Sequence, residues 1–525
     1  MKIIKGGNFM NTTAVKKSVI ITQEGLKLED VVNVARKGYS VEVSKESLEK
    51  VKKTRDLVDR FVDEGRIVYG ITTGFGKFSD VAITKEETGL LQRNLIISHA
   101  CGVGNPLPEE VVRAILLLRI NALSKGHSGI RVSTLNTMVD MLNKGVHPII
   151  PEKGSLGASG DLAPLSHMVL TMIGEGEAIY KGQRMDSKEA MQKAGIELVE
   201  LTSKEGLALI NGTQVMTGVG VMATYDAINL IKMADIADGL TMEALNGIID
   251  AYDERVHMIR GQKGQITTAK NVRRILEGSE MITRQGELRV QDAYALRCVP
   301  QIHGASKDAI NYIKEKVEIE INAVTDNPLI FPDEEEVISG GNFHGQPMAL
   351  PFDFLGIALS EIANISERRL ERLVNPSLSN GLPAFLVENG GLNSGYMIVQ
   401  YAAAALVSEN KVLAHPASVD SIPSSANQED HVSMGTIAAR KAATILDHAS
   451  NVLAMEIMGA CQGIDVRGKK SLGKGTSAAY DVVRKHLTKI VEDRVMYKDI
   501  NTCLEVVKSG EILEAVEKTI GELEI

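Results

Sequence analysis

Apolar residues recur with helical spacing over most of the chain, and this pattern predicts its main elements. After Ser44, apolar residues such as Leu48 and Val51 begin a series that falls on one face of a helix. A second helix is predicted to begin at Pro108, because a proline followed by two acids suits a helix N-terminus. Its continuation over 111–123 is apolar nearly all round, which predicts a helix buried in a core.

Stretches rich in Ala, Met and Leu dominate the chain after about residue 205. These residues are strong helix formers, and few prolines interrupt them. We therefore predict a mainly α fold, in which a bundle of long helices follows a smaller N-terminal domain of helices and loops. The long helices are expected at 206–248, 303–324, 351–373, 395–413 and 434–461, a pair of amphipathic helices at 476–522, and a small strand pair at 18–21 and 39–43.

These patterns divide the chain into three predicted parts: 1–205, the central bundle at 206–475 and the C-terminal helices at 476–525. Several central helices lack a polar outer face. Helices of this kind usually bury their exposed side against other subunits, so we expect an oligomer.

Composition narrows the class of protein. Hydrophobic residues make up 44% and charged residues 24%, as in ordinary globular proteins, and the formal net charge is −9. No basic surplus points to nucleic acid or anionic lipid. The four cysteines (Cys101, Cys298, Cys461 and Cys503) form no CxxC pair, no apolar run is long enough to span a membrane, and the N-terminus lacks the apolar core of a secretory signal. A cytoplasmic protein is the expectation.

The loop Gly154–Gly160 and the residues after it carry the most unusual candidate chemistry. By composition it could be a flexible turn with Asp161 as a helix N-cap, and it lacks the motifs of a phosphate-binding loop. Within it, the amide nitrogen of Gly160 is little hindered and could attack the carbonyl carbon of Ala158. Loss of that oxygen as water closes a five-membered ring, and loss of the Ser159 hydroxyl as a second water leaves an electrophilic exocyclic methylene.

The segment ASGDLAPL at 158–165 resembles the signature of the aromatic amino acid ammonia-lyases, and the resemblance runs from about Val43 to the C-terminal helices. It implies a methylidene-imidazolone prosthetic group formed autocatalytically from Ala158, Ser159 and Gly160 in the N-terminal domain. It also implies a homotetramer whose sites are shared between subunits, with no metal.

Two further motifs match the family and would read the aromatic ring of the substrate. Ser98-His99 occupies positions where histidine enzymes carry Ser-His, tyrosine enzymes His-Leu and phenylalanine enzymes Phe-Leu. Glu429 stands where histidine enzymes carry Glu and phenylalanine enzymes Gln. A carboxylate and an imidazole suit a polar substrate ring, because both can hydrogen-bond to it.

The resemblance assigns the remaining roles. Tyr69, at the start of the Gly-rich loop YGITTGFG, would be the base that takes the β-proton. Arg297 suits a substrate carboxylate, since its planar guanidinium binds both oxygens. Tyr294 would assist at the reacting centre, and Asn211, Gln291 and Phe343 would complete the substrate site.

Together these positions imply elimination of ammonia from L-histidine to give trans-urocanate. The alternatives within the family are a tyrosine or phenylalanine ammonia-lyase and an aminomutase. A more distant alternative is a catalytically inactive helical oligomer with an uncyclised loop.

Overall fold

The computed structural model describes residues 17–68, 71, 73 and 87–525. They form two compact units, each assembled from separate stretches of the chain. Unit 1 comprises residues up to Glu152 together with Ser166–Leu209 and Asp326–Gly340, and unit 2 comprises Lys153–Leu165, Ile210–Thr325 and Gly341–Ile525. The three-part division predicted from the sequence remains a prediction.

Unit 1 combines short helices with small sheets. Strands β1 and β2 pair in parallel, β4, β6 and β7 form an antiparallel sheet, and β8 pairs antiparallel with β9. The elements up to α8, with β8 and β9, are β1 Ser18–Ile21, α1 Leu28–Lys37, β2 Ser40–Val43, α2 Lys45–Asp63, α3 Thr88–His99, β3 Val103–Pro106, α4 Glu109–Ser124, α5 Val132–Lys144, β4 Val146–Pro148, β5 Pro151–Lys153, α6 Leu162–Met172, β6 Glu177–Tyr180, β7 Gln183–Asp186, α7 Ser187–Ala194, α8 Glu205–Ile210, β8 Leu329–Phe331 and β9 Glu336–Ile338.

The predicted helices of unit 1 form for the expected reasons. Ser44 caps α2, its side chain accepting a hydrogen bond from the Ser47 backbone N–H at 3.2 Å. In α4 every residue from Val111 to Ser124 is buried, as the all-round apolar pattern predicted. Pro108 occupies the N-cap of α4 rather than its first turn. Helix α1, which lies between the two strands of the predicted pair, was not anticipated.

Unit 2 is built on long helices. Helix α16 packs against both α14 and α9, and α13 packs against α14 and α11. The elements are α9 Gln214–Ala244, a 3-10 turn at Ile249–Tyr252, α10 Glu254–Met258, α11 Lys263–Ile275, α12 Tyr294–Arg297, α13 Val299–Glu320, α14 Gln346–Val374, 3-10 turns at Ala384–Leu386 and Ser425–Asn427, α15 Met397–Leu413, α16 Gly435–Val466, α17 Lys474–His486, α18 Met496–Ser509 and α19 Glu511–Ile520.

The predicted long-helix bundle is therefore confirmed, since a long helix lies within or across each of the five predicted stretches. The C-terminal prediction of two helices was wrong, because three form. Gly510, with φ +80°, ends α18 in the left-handed conformation that favours glycine, and α19 begins at the next residue.

One described helix, α14, is long and apolar enough to cross a membrane by length and composition alone. Of its most apolar window, 67% is buried inside the structure. Arg369 of the same helix is fully buried and bound to Glu456. These features are those of a core helix in a helical bundle.

Candidate active site

The Ala158–Gly160 segment lies in a loop of unit 2 whose glycines are sterically required. Gly160 has φ +71°, and a Cβ at this position would collide with the backbone of Gly212. Gly157 has φ +66°, and a Cβ there would collide with the Ser433 hydroxyl. Ala158 is buried between them beside Val432 and Met434. The loop is therefore packed tightly, and the flexible-turn interpretation does not describe it.

The backbone on both sides of this segment is hydrogen-bonded to other parts of unit 2. Before the segment, the Met434 N–H donates to the Leu156 carbonyl at 2.8 Å, and the Ser433 hydroxyl donates to the Gly157 carbonyl at 2.8 Å. After it, the Asp161 N–H donates to the Gly212 carbonyl at 2.7 Å. Segments that are distant in the sequence therefore hold these three residues at both ends.

Asp161 fixes the end of this loop to two helices. Its Oδ2 accepts the backbone N–H groups of Val215 and Met216 in the first turn of α9, at 2.9 and 2.8 Å. Its Oδ1 accepts the hydroxyls of Ser155, at 2.8 Å, and Thr436 in the first turn of α16. Burial raises the pKa of Asp161 above its ordinary value, although the four hydrogen bonds oppose that shift. The Asp161 carboxylate therefore connects the loop to α9 and α16, and none of these four hydrogen bonds comes from the backbone of α6, the helix that it was expected to cap.

Ser159 is contacted by two of the predicted site residues. The Asn211 side-chain amide donates to the Ser159 carbonyl at 2.8 Å, and Asn211 is almost fully buried. The Ser159 hydroxyl donates to Glu429 Oε1 at 2.5 Å. Glu429 Oε2 accepts the Ser424 hydroxyl at 2.9 Å, which orients the carboxylate. The structure thus brings Asn211, Ser159 and Glu429 together although they are widely separated in the sequence.

Three further predicted residues lie in the short helix α12 or just before it. Tyr294 is 68% exposed, and the guanidinium of Arg297 lies over its ring, 4.6 Å from the centroid. The Nε atom of Arg297 is buried and has no hydrogen-bond partner among the described residues. Gln291 precedes the helix and is exposed. In the part of the chain that the structure describes, no hydrogen bond joins this group to Ser159, Asn211 or Glu429.

Phe343 lies half-buried in the turn that leads into α14. The next residue, His344, is held on both ring nitrogens: Nδ1 accepts the Gln346 N–H at 3.2 Å, and Nε2 lies 3.1 Å from the His431 carbonyl. The His344 and His431 rings stack, with centroids 5.8 Å apart. These contacts connect the turn that carries Phe343 to the segment that follows Glu429.

Ser98 and His99 end α3 in unit 1. The Ser98 hydroxyl lies 3.0 Å from His99 Nδ1 and 3.2 Å from the Leu95 carbonyl, so the two side chains are coupled. The loop after them is held by His167 of the same unit, whose Nε2 accepts the Gly102 N–H at 3.0 Å. Burial lowers the pKa of His167, which favours the neutral ring that can accept this bond.

Tyr69, the predicted base, lies outside the described residues. Sequence reasoning did not anticipate the clamp of Asp161, Ser155 and Thr436, or the bond from Ser433 to Gly157. Ser155 and Asp161 lie in the glycine-rich loop and the signature that the sequence analysis singled out, whereas nothing in that analysis marked Ser433 or Thr436. Among the described residues, no group of three or more His, Cys, Asp or Glu side chains is arranged to hold a metal ion.

A sequence model of the family described as aromatic amino acid lyase matches residues 26–485. The chain belongs to this family. Within it, the histidine ammonia-lyase of Alkaliphilus oremlandii is 68% identical over 504 residues, which cover 96% of this chain and 99% of that protein.

Solved structures of family members agree with this assignment. The histidine ammonia-lyase of Trypanosoma cruzi superimposes with a TM-score of 0.89 at 42% identity, covering 95% of each chain. The tyrosine aminomutase of Streptomyces globisporus superimposes with a TM-score of 0.93 at 38% identity, covering 97% of this chain and 100% of that one. The family resemblance and the mainly α fold predicted from the sequence are thereby confirmed.

Proposed function

We propose that this lyase eliminates ammonia from L-histidine to give trans-urocanate, a first step in histidine degradation. The observation that carries the proposal is the pair of hydrogen bonds at Ser159. Its carbonyl accepts the Asn211 amide N–H, and its hydroxyl donates to the Glu429 carboxylate. The relatives from Alkaliphilus and Trypanosoma, both named histidine ammonia-lyase, support the same substrate. The Ser98-His99 pair and Glu429 supply the polar groups that an imidazole ring needs.

The residues present fit a methylidene-imidazolone made from Ala158, Ser159 and Gly160. Its formation joins the Gly160 nitrogen to the Ala158 carbonyl carbon and releases the Ala158 oxygen as water. The Ser159 hydroxyl, with the Ser159 α-hydrogen, leaves as a second water. The carbonyl oxygen of Ser159 remains on the ring, and that is the oxygen that Asn211 binds. The steric demand for glycine at position 160 also fits, because a Cβ there would press on Gly212.

Once formed, this group supplies an electrophilic carbon that makes the substrate's amino nitrogen a better leaving group. The chain's own residues do the rest. Arg297 binds the substrate carboxylate together with Gln291, and Tyr294 assists at the reacting centre. The Arg297 guanidinium lies over the exposed Tyr294 ring, which supports a shared role for these two side chains.

Binding at the other end of the substrate fixes the imidazole. We assign the contacts with the imidazole to the Ser98-His99 pair and to Glu429, and an apolar contact with the substrate to Phe343. Tyr69 takes the β-proton. A small substrate that is bound at both ends has its β-carbon fixed next to the base. The binding energy thus contributes to the reaction rate by orienting the reacting atoms.

We also propose a cytoplasmic homotetramer whose sites are shared between subunits. The exposed apolar residues of α15, Ile398 at 60%, Tyr401 at 72% and Val412 at 70%, support burial against another copy. A groove of about 710 Å³ between α13, α14 and α15, lined in part by exposed Phe354 and Ile357, supports the same interface. The four cysteines are all free, as a reducing compartment requires.

Shared sites can be tested by mixing two inactive variants. Ser159→Ala and Arg297→Ala subunits, unfolded and refolded together, should recover part of the activity if residues from different copies complete one site. Each variant refolded alone is the control. No recovery in mixtures that do form tetramers would contradict shared sites.

The substrate is tested with purified enzyme supplied separately with L-histidine, L-tyrosine and L-phenylalanine. Urocanate from histidine alone, followed by its ultraviolet band and absent with Ser159→Ala, is the expected result. A β-amino acid from tyrosine would favour the aminomutase, which the structural likeness to the Streptomyces enzyme makes the second candidate. A cinnamate-type product from tyrosine or phenylalanine would favour the corresponding ammonia-lyase.

A further inference from the structure

The one-turn helix that carries Arg297 rests on a buried tyrosine. Tyr252 ends the 3-10 turn Ile249–Tyr252 and is completely buried. Its hydroxyl oxygen lies 2.8 Å from the carbonyl of Leu296, the residue immediately before Arg297. The position of the Arg297 backbone is therefore coupled directly to the Tyr252 side chain.

The Tyr252 hydroxyl has a second partner, Asp238, and the number of available hydrogens limits which group can donate in each bond. Tyr252 Oη lies 2.7 Å from Asp238 Oδ2, but a phenol has only one hydrogen to donate. The Leu296 carbonyl can only accept. If the Tyr252 hydrogen goes to Leu296, the hydrogen between Tyr252 and Asp238 must come from a protonated Asp238 carboxyl.

The surroundings of Asp238 favour its neutral form. Asp238 is completely buried on α9, and its Oδ1 accepts no hydrogen bond from the described residues. The nearby cation, Arg369 of α14, is 4.0 Å from that oxygen and is already paired through two hydrogen bonds with Glu456 of α16. An ionised Asp238 would leave one charged oxygen without a hydrogen bond.

The other charged group on α9 near Asp238 is also paired with residues other than Asp238. Asp235, one turn earlier on α9, binds His303 and Lys307 of α13, at 2.9 and 2.6 Å. Burial is the largest effect and raises the pKa of Asp238 to about 8. The Arg369 charge and the Tyr252 hydrogen bond lower this pKa, whereas the negative charges of Glu456 and Asp235 raise it. Burial and the unpartnered Oδ1 together favour a protonated Asp238 at neutral pH.

A second tether holds the same segment slightly earlier in the chain. Asp292 Oδ2 accepts the Ile248 backbone N–H at 2.6 Å, and Asp292 Oδ1 accepts Arg289 Nε at 2.7 Å. The stretch that leads to Arg297 is therefore attached at Asp292 and at Leu296 to the short segment Ile248–Tyr252. Two attachment points therefore fix the backbone that carries Arg297.

We propose that Tyr252 and protonated Asp238 form a positioning pair, which fixes the Leu296 carbonyl and thereby holds Arg297 for the substrate carboxylate. The inference rests on the proposed role of Arg297. Neither residue of the pair contacts substrate. The pair acts on binding of the amino acid more than on the chemical step, because it sets where the carboxylate is held.

The decisive comparison uses three variants at the pair and one matched control. Asp238→Asn keeps a donor toward Tyr252, since its amide N–H replaces the acid O–H, and should leave KM for histidine within about twofold to threefold. Tyr252→Phe and Asp238→Ala break the chain of hydrogen bonds and should raise KM on the order of tenfold, with a smaller change in kcat. Tyr497→Phe, at an exposed tyrosine of α18, should change neither parameter.

The pH profile supplies a readout that a purely structural role would not move. In the unmodified enzyme, KM should rise as pH passes about 8, because Asp238 then loses its proton. In Asp238→Asn this part of the rise should be absent. An Asp238→Asn enzyme that behaves like Asp238→Ala, or a Tyr252→Phe enzyme with unchanged KM, would overturn the proposal.

Infrared difference spectroscopy separates this inference from the proposed function. The unmodified enzyme minus Asp238→Asn should show the C=O stretch of a protonated carboxyl at neutral pH, whatever the substrate. Its absence would overturn the protonated pair. An enzyme that shows the band yet turns over no amino acid would instead count against the proposed function. Thermal melts of every variant identify any that fail to fold.

Discussion

The Ser159 hydroxyl lies 2.5 Å from the carboxylate of Glu429, 270 residues further along the chain. In the proposed ring formation that hydroxyl is the group that leaves, so Glu429 would face the electrophilic carbon. A carboxylate in this place can serve the substrate ring only after the hydroxyl has gone. The same residue is therefore close to both the formation of the group and the binding of the imidazole.

Replacing Glu429 separates these two roles. Glu429→Gln retains an oxygen that can accept the Ser159 hydroxyl, so the chain should still lose two waters in its intact mass. It removes the charge that favours a protonated imidazole, and KM for histidine should rise about tenfold to a hundredfold. Asp430→Asn, at the exposed acid next to it, should leave KM unchanged. An unchanged KM in Glu429→Gln would remove Glu429 from the substrate site.

Asn211 should act on the rate rather than on binding. Its amide donates to the Ser159 carbonyl, whose oxygen would remain on the proposed ring, and donors of this kind stabilise charge that develops during a reaction. Asn211→Ala should lower kcat on the order of a hundredfold. Asn211→Asp, which places a charged oxygen against the carbonyl, should be at least as severe. A normal kcat in Asn211→Ala, measured on protein of the expected mass, would show that the bond has no part in turnover.

The sequence predicted the long helices of unit 2 because they are rich in Ala, Met and Leu, whose preference for the helix is a local property of each residue. It missed α1 although the buried Leu28, Val31, Val32 and Ala35 fall at the i, i+3, i+4 and i+7 spacing of a helix, because the residues before Ser44 were interpreted only as a strand pair. It also missed the break at Gly510, since one glycine within an amphipathic pattern does not by itself end a helix.

The site was predictable only in part. The ring chemistry proposed for Ala158, Ser159 and Gly160 rests on residue types, because cyclisation needs small neighbours, and it stays a prediction. The clamp on Asp161 could not be predicted, since its partners Val215 and Thr436 lie 54 and 275 residues away. Tertiary packing chooses such partners, and a single sequence does not display them.

Loss of the Asp161 clamp should weaken the fold as well as ring formation. Asp161→Ala would leave the buried N–H groups of Val215 and Met216 without an acceptor, at about 1–3 kcal/mol each. We expect a lower midpoint in urea and a fraction of chains at full, uncyclised mass. Asp161→Asn can still accept the two N–H groups and should lie between Asp161→Ala and the unmodified enzyme. Equal stability of all three proteins would contradict the clamp.

Asp238 should make the stability of the enzyme depend on pH. Its pKa is raised from 3.8 to about 8 in the folded chain, so between these values the unfolded chain has released a proton that the folded chain keeps. The free energy of unfolding therefore loses a contribution as pH rises from about 4 to about 8. In urea unfolding at several pH values, Asp238→Asn should lack this loss. A stability difference between the two proteins that stays constant with pH would contradict the assignment.

The central claim, that this lyase makes its own electrophile at Ser159, is tested most directly by the mass of the peptide that contains 158–160. In enzyme that converts histidine to urocanate, this peptide should be lighter than its sequence by two waters. The Ser159→Ala enzyme should not show that double loss and should form no urocanate. A peptide of full mass in enzyme that turns over histidine would contradict the account.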